Sequence, residues 1–261
     1  MSVKRLNENL VVVYDRRLRI PVAAIERHRK GDTVNHEIDR KDSKFFAPPD
    51  EEAPFQASND DYMHSGFDRG HLAPASAFKG SQADMDSTFN LANVAPQVGV
   101  GFNRHFWARF EAAAKRLNKQ FDEVYVITGT ALLPSAPQPG ERAAVQYPVL
   151  GGRVAVPTHL WKIIVAARPE QGQRSITTAA FLMPNAAIDE KTPLESFLVD
   201  QSIIEVATGM RFPALAGARP LCDNKSLCAL PPPDWFLKDK DAAASALAPA
   251  ATPSLSMKSK Q

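Results

Sequence analysis

Apolar and polar positions sort this chain into strand-like and helix-like stretches. LVVVYD (Leu10 to Asp15) is a β-branched run that predicts a strand, and RIPVAAIERHR (Arg19 to Arg29) predicts a second strand or a sheet edge. Residues 31–60 are polar, with FFAPPDEEAPF (Phe45 to Phe55) forming a proline-interrupted acidic loop. The segment Gly80 to Gln97 predicts a short helix with Ser81 as its N-cap, followed by a loop at NVAPQ. Between Asn103 and Phe121 the apolar residues Phe106, Trp107, Phe110, Ala113, Ala114 and Leu117 recur at helical spacing. They predict an amphipathic helix with Trp107 and Phe110 in the core. Three more strand-like segments, rich in Val, Ile and Thr, follow at Glu123 to Leu133, Arg153 to Ala167 and Ser175 to Pro184. A final helix is predicted from Thr192 to Gly209, with proline near its start and glycine past its end. Strands outnumber helices and come in runs, which predicts an α+β fold with an antiparallel or mixed sheet.

Composition narrows the picture. With 261 residues, 44% of them hydrophobic, the chain is long enough for one large core, expected over residues 1–230. The Ala/Pro/Ser-rich segment 231–261 is expected to be a disordered tail. No apolar run approaches the ~18 residues that span a bilayer, so no membrane partner is expected. The N-terminus has no apolar h-region and no Arg/Ser-rich leader, so no presequence is visible. The net charge of +2 points to no partner, yet residues 1–30 carry a net +5, in clusters able to meet phosphate or simply face water. Cys222 and Cys228 are close enough in sequence for a disulfide, without the partners of a zinc site.

The least ordinary stretch is FDRGHLAPASAF, Phe67 to Phe78. A histidine whose tautomer is fixed by a neighbour is a good base at neutral pH. An arginine two residues earlier can grip a phosphate oxygen in bidentate fashion. The intervening Gly70 has no side chain and would let substrate approach the backbone. His71 is thus either a general base or a hydrogen-bonded loop residue. Thirty-two residues on, Asn103 offers a hard amide oxygen suited to Mg²⁺, a cation that keeps most of its waters. Glu111 lies eight residues further, about 12 Å along a helix, at a distance that favours a water-mediated role. Lys115, four residues beyond Glu111, reads equally well as an ordinary surface partner of that carboxylate.

Taken together, SNDDYMHSGFDRGH, MDSTFNLANVAPQ, the N-x3-W-x3-E spacing, VYVITG, VAVPTHLWKII and FLMPNAAIDEKTPLESFLV resemble the DNA/RNA non-specific endonucleases with a ββα-metal finger, most of all the endonuclease G branch. The resemblance covers roughly residues 10–213. It implies a ββα-metal nuclease fold with a central, mainly antiparallel sheet flanked by helices. It implies His71 as general base, Asn103 as the one direct protein ligand of a hydrated Mg²⁺ (Mn²⁺ substituting), and Glu111 as the residue that orients metal-bound water. Arg69 would assist at the phosphate or within the site's support, Asp68 would brace the loop, and Asn93 would position the site or serve as scaffold. Arg104, which stands where the family often has glutamine, and Lys115 would contact substrate phosphate. DNA and RNA would be substrates, the protein a homodimer, and its location mitochondrial with release to the nucleus. The acidic stretch at 45–55 departs from the family, so no role is carried onto Arg40.

Three other readings stand beside this one. A 5′-exonuclease relative would usually have serine in place of Asp68. A catalytically inactive nuclease fold could serve as a nucleic-acid-binding module, against which the retention of His71, Asn103 and Glu111 speaks. A zinc site built from His64, His71 or His105 would lack the paired cysteines typical of such centres.

Overall fold

The computed structural model describes residues 1–233 apart from 33, 34, 36, 136–141, 171 and 216. Its scaffold is an eight-stranded sheet, and the strands are β1 (Ser2–Asn7), β2 (Leu10–Asp15), β3 (Ile20–Arg29), β6 (Glu123–Ala131), β9 (His159–Glu170), β10 (Gln173–Pro184), β11 (Leu198–Val199) and β12 (Arg219–Pro220). In space the order runs β1-β2-β3-β6-β9-β10-β11, every neighbour antiparallel; β12 adds to β10 in parallel. A separate antiparallel pair joins β4 (Phe67–His71) to β5 (Val94–Val98), and a small one joins β7 (Val149–Leu150) to β8 (Val154–Ala155). The helices are short: α1 (Asn59–Tyr62), α2 (Gln82–Ser87), α3 (Ala108–Arg116) and α4 (Gln201–Thr208). This is an α+β architecture around a mainly antiparallel sheet.

Period-2 alternation decides which layer covers which face. On β9, Leu160, Ile164 and Ala166 pack with Phe106, Trp107 and Phe110 under α3, whereas Trp161, Ile163 and Val165 pack with Ile204 of α4. Leu10, Val12 and Tyr14 of β2 bury against Leu72, Val94 and Ala95 of the β4–β5 region. Register carries β2 across β3 onto β6, so this second core lies on the α3 side of the sheet. The β4–β5 pair and α3 therefore lie side by side on one face of a rigid sheet, with α4 behind.

Four expectations are corrected. NVAPQ is not a loop but β5, and DRGH is the strand opposite it, because the two satisfy each other's backbone groups; Pro96 sits opposite Arg69 in a two-stranded ribbon, where a missing N–H is tolerated. The late helix begins at Gln201 rather than Thr192: Asp200 caps it through Ser202 N, and the preceding Leu198 and Val199 pair with β10 instead. Its glycine stop holds, with Gly209 left-handed at φ 72°. The predicted strand from Arg153 divides into β8 and β9. The helix predicted from Asn103 is regular only from Ala108; before it, Gly99–Trp107 is a wide helical segment interrupted at Val100 and Gly101. The strand β1 carries no apolar run and went unpredicted. Most of the segment expected as a tail, residues 234–261, lies outside the described residues. Among the described residues no helix is long and apolar enough to cross a membrane.

Candidate functional site

The chain order strand, strand, helix carries three candidate residues in turn. His71 ends β4, the last residue of β5 is Val98, and five residues later Asn103 lies in the wide segment leading into α3, which carries Glu111. Gly101 makes that turn possible. Its φ is 82°, a Cβ there would lie 2.6 Å from the Ala187 Cβ, and its N–H donates to His105 Nδ1 at 3.0 Å.

His71 is buried, at 8% exposure, between the rings of Phe45 and Phe89, with centroids 5.1 and 4.8 Å away. Burial, helped by the positive charge of Arg40, pushes its pKa down to about 3, so the imidazole is neutral at physiological pH. Its Nε2 is sealed from solvent and has no hydrogen-bond partner among the described residues. A water cannot reach a sealed nitrogen, which leaves Nδ1 as the ring atom that faces the site. The backbone just after His71 is pinned: Leu72 N donates to Asn93 O, while the Asn93 amide donates to Ala73 O and Thr88 O and accepts from Ala73 N. All of Asn93's side-chain bonds among the described residues go to backbone.

Asp68 organises the other end of β4. Its carboxylate accepts from Asn103 Nδ2 at 2.9 Å and from Arg104 Nε at 2.7 Å, with a second bond to Arg104 Nη2. Burial alone would raise this carboxyl, but the hydrogen bonds from Arg104 and Asn103 and the charges of Arg104 and Arg69 overcome it and hold the group below its usual range. A carboxylate only accepts, so the Asn103 amide must present its nitrogen to Asp68 and its oxygen elsewhere. That oxygen, which accepts no hydrogen bond among the described residues, has the chemistry to take a hard hydrated cation. Among the described residues no cluster of three or more His, Cys, Asp or Glu could hold an ion unaided.

The expectations for the remaining residues are refined. Arg104 is committed to Asp68 rather than free for phosphate. Arg69 is exposed, bonded to Asn59 Oδ1 at 2.8 Å and stacked 4.9 Å from the Phe45 ring. Lys115 pairs not with Glu111 but with the Ser76 carbonyl, and burial followed by the charge of Lys79 lowers its pKa. The space a side chain at Gly70 would need is occupied by Gln97, 2.1 Å from an added Cβ, so the glycine serves packing rather than substrate approach. His64 and His105 do not gather with His71 into a metal cluster.

Sequence reasoning missed two things. One is Arg40, whose guanidinium stacks 5.6 Å from the Phe89 ring and whose charge acts on both His71 and Glu111. It lies in an aperiodic polar stretch with no motif of its own. The other is the polar layer beneath α3. Lys162 on β9 is 1% exposed, hydrogen-bonds Thr128 Oγ1, and lies 4.8 Å from the Trp107 ring centroid. Burial lowers its pKa while the charges of Glu26 and Glu111 oppose the shift. Glu111 in turn is raised by burial, against the pull of Lys162. Only the single Lys in an otherwise apolar strand, LWKIIV, hinted at this layer.

With this geometry described, known proteins give the context. The family model for DNA/RNA non-specific endonucleases matches residues 2–217. Nuclease C1 of Cunninghamella echinulata var. echinulata is 44% identical over 207 residues, 78% of this chain and 80% of that protein. Mitochondrial endonuclease G of Homo sapiens is 39% identical over 206 residues, 78% of this chain and 67% of that protein. The crystal structure of an EndoG/EndoGI complex is similar in fold, with a TM-score of 0.76 at 37% identity, covering 80% of this chain and 84% of that one.

Proposed function

Because the chain belongs to the DNA/RNA non-specific endonuclease family, and so is a nuclease by descent, we propose that it is a metal-dependent endonuclease hydrolysing phosphodiester bonds in both DNA and RNA. The observation that carries this reading is the strand β4 itself: it ends on His71, buried with its Nε2 sealed, and its Asp68 binds the Asn103 amide through nitrogen, which turns the amide oxygen elsewhere.

In this reading, the Nδ1 of His71 takes the proton of the attacking water, while Nε2 keeps its own hydrogen in the sealed pocket between Phe45 and Phe89. Asn103 Oδ1 would hold a hydrated Mg²⁺, for which Mn²⁺ would substitute, and Glu111 would orient its waters. When bound, the ion supplies charge neutralisation at the phosphorus and eases departure of the 3′-oxygen. Asp68 fixes the Asn103 amide and keeps Arg104 in place. Arg40 and Arg69, stacked on the neighbouring rings of Phe89 and Phe45, would meet the substrate phosphate, and neither has an acidic partner among the described residues. Recognition through phosphates rather than base edges leaves the sugar and sequence unread.

The name of the human relative supports mitochondrial residence for this chain, and the family resemblance supports a homodimer. Fractionation of cells and light scattering of the purified protein test these two points. The nuclease reading is tested by cleavage of plasmid and of structured RNA with Mg²⁺: loss of both substrates supports it, and an intact folded protein that cleaves neither contradicts it.

A further inference from the structure

A cleft of about 1090 Å³ opens beside Glu111, between the end of β3, the segment around Lys79 and the outer face of α3. Its wall is rich in cations, and several are already engaged. Arg27 pairs with Glu123, Lys115 donates to the Ser76 carbonyl and Arg116 to the Ala229 carbonyl. Four others, Arg29, Arg40, Lys79 and Lys119, have no acidic partner among the described residues, although all four line this one cleft. The acids at its rim are held locally: Asp32 accepts from the Arg29 backbone N–H and Asp84 from Ser81.

Collecting unpaired like charges in a concave site costs free energy unless an anion brings them together. Glu111 and Lys115 lie one turn apart on α3, about 6 Å along the axis, Lys119 ends the tight turn Leu117–Lys119 that follows it, and all three line the cleft. Across the cleft, Arg29 closes β3.

We propose that this cleft is a phosphate track, in which Arg29, Lys79 and Lys119 take the phosphates next to the scissile one on a single nucleic-acid strand. The assignment rests on the nuclease reading but concerns binding, so it is measured apart from catalysis. Each phosphate neutralised on a single strand contributes about 0.7 to the slope of log affinity against log salt.

The test is fluorescence anisotropy of a labelled 12-nucleotide single-stranded DNA, titrated in EDTA at a series of salt concentrations. The double variant Arg29→Ala/Lys119→Ala is expected to weaken binding and to make the salt slope shallower by about 1.4, two phosphates' worth. Lys79→Ala should make it shallower by about half as much. Arg219→Ala, which removes the same charge at β12 where Arg219 pairs with Glu170, should leave the slope unchanged. All these residues lie at the surface, and melting curves check that each variant is folded. An unaltered slope in the double variant overturns the track, as does a change in Arg219→Ala equal to that in Lys79→Ala, which would reduce the effect to net charge. A protein that binds with the expected slopes but never cleaves with Mg²⁺ contradicts the nuclease reading and leaves the track standing. One that cleaves while the double variant keeps its slope contradicts the track alone.

Discussion

At the scale of single residues the account turns on how His71 is kept neutral. Its pKa is pushed down to about 3 by burial and by the charge of Arg40. Protonation therefore costs the folded state more than the unfolded one. The stability this confers is complete above about pH 6.5, the ordinary histidine value, and is lost as pH falls from there towards 3. His71→Gln removes the titration, so the melting temperature of the variant should fall less steeply over that window than that of the wild type. Parallel curves would mean that the imidazole is not desolvated. Removing the base should lower kcat by roughly 10²- to 10⁴-fold in His71→Ala. Asp68→Asn keeps the shape but loses the charge that fixes both Asn103 and Arg104. It is expected to weaken Mg²⁺ activation, read as a higher metal concentration for half-maximal activity, with little change in melting temperature.

Among the elements, α3 is the piece that has to stay still. Arg109 ties its buried side to two distant carbonyls, Pro231 O and Glu190 O, each at 2.7 Å. Arg109→Met should cost about 1–3 kcal/mol, since it strands both carbonyls, and chemical denaturation measures this directly. Beneath the helix, Lys162→Met would leave Glu26 and Glu111 without the cation that faces them, at a cost of roughly 3–5 kcal/mol. A neutral result there would show that the polar layer is hydrated. These elements also show what the sequence could and could not reveal. The long strands β2, β3, β6, β9 and β10 were legible because each holds an unbroken β-branched or alternating run. The strands β1, β4 and β5 were not: Lys4 and Arg5 interrupt the first, and DRGH and VAPQ are strands because they pair with each other. A pairing over 27 residues leaves no periodicity to read. Likewise Asp200, a good N-cap, was overlooked because Pro193 offered an earlier start.

For the whole molecule, the site was half legible. His71, Asn103 and Glu111 announce themselves through motif and spacing. Arg40 and the layer of Glu26, Thr128 and Lys162 do not, since only the fold places them beside those residues. The disulfide between Cys222 and Cys228, left open in the sequence, forms in the structure, with Cys228 buried in the core under α3. It closes a short loop, and opening it in Cys222→Ser/Cys228→Ser should cost about 2 kcal/mol, seen as a lower melting temperature with kcat retained. A large fall in kcat would mean that this segment also sets the position of the catalytic helix.

The central claim, a metal-assisted nuclease with His71 as its base, is tested most directly by one comparison. Supercoiled plasmid and a structured RNA are incubated with wild type and with His71→Ala, each with Mg²⁺ and with EDTA. The account predicts that wild type degrades both substrates with Mg²⁺ only, and that the folded variant degrades neither at a comparable rate. Undiminished cleavage by His71→Ala, or cleavage that persists in EDTA, would contradict it.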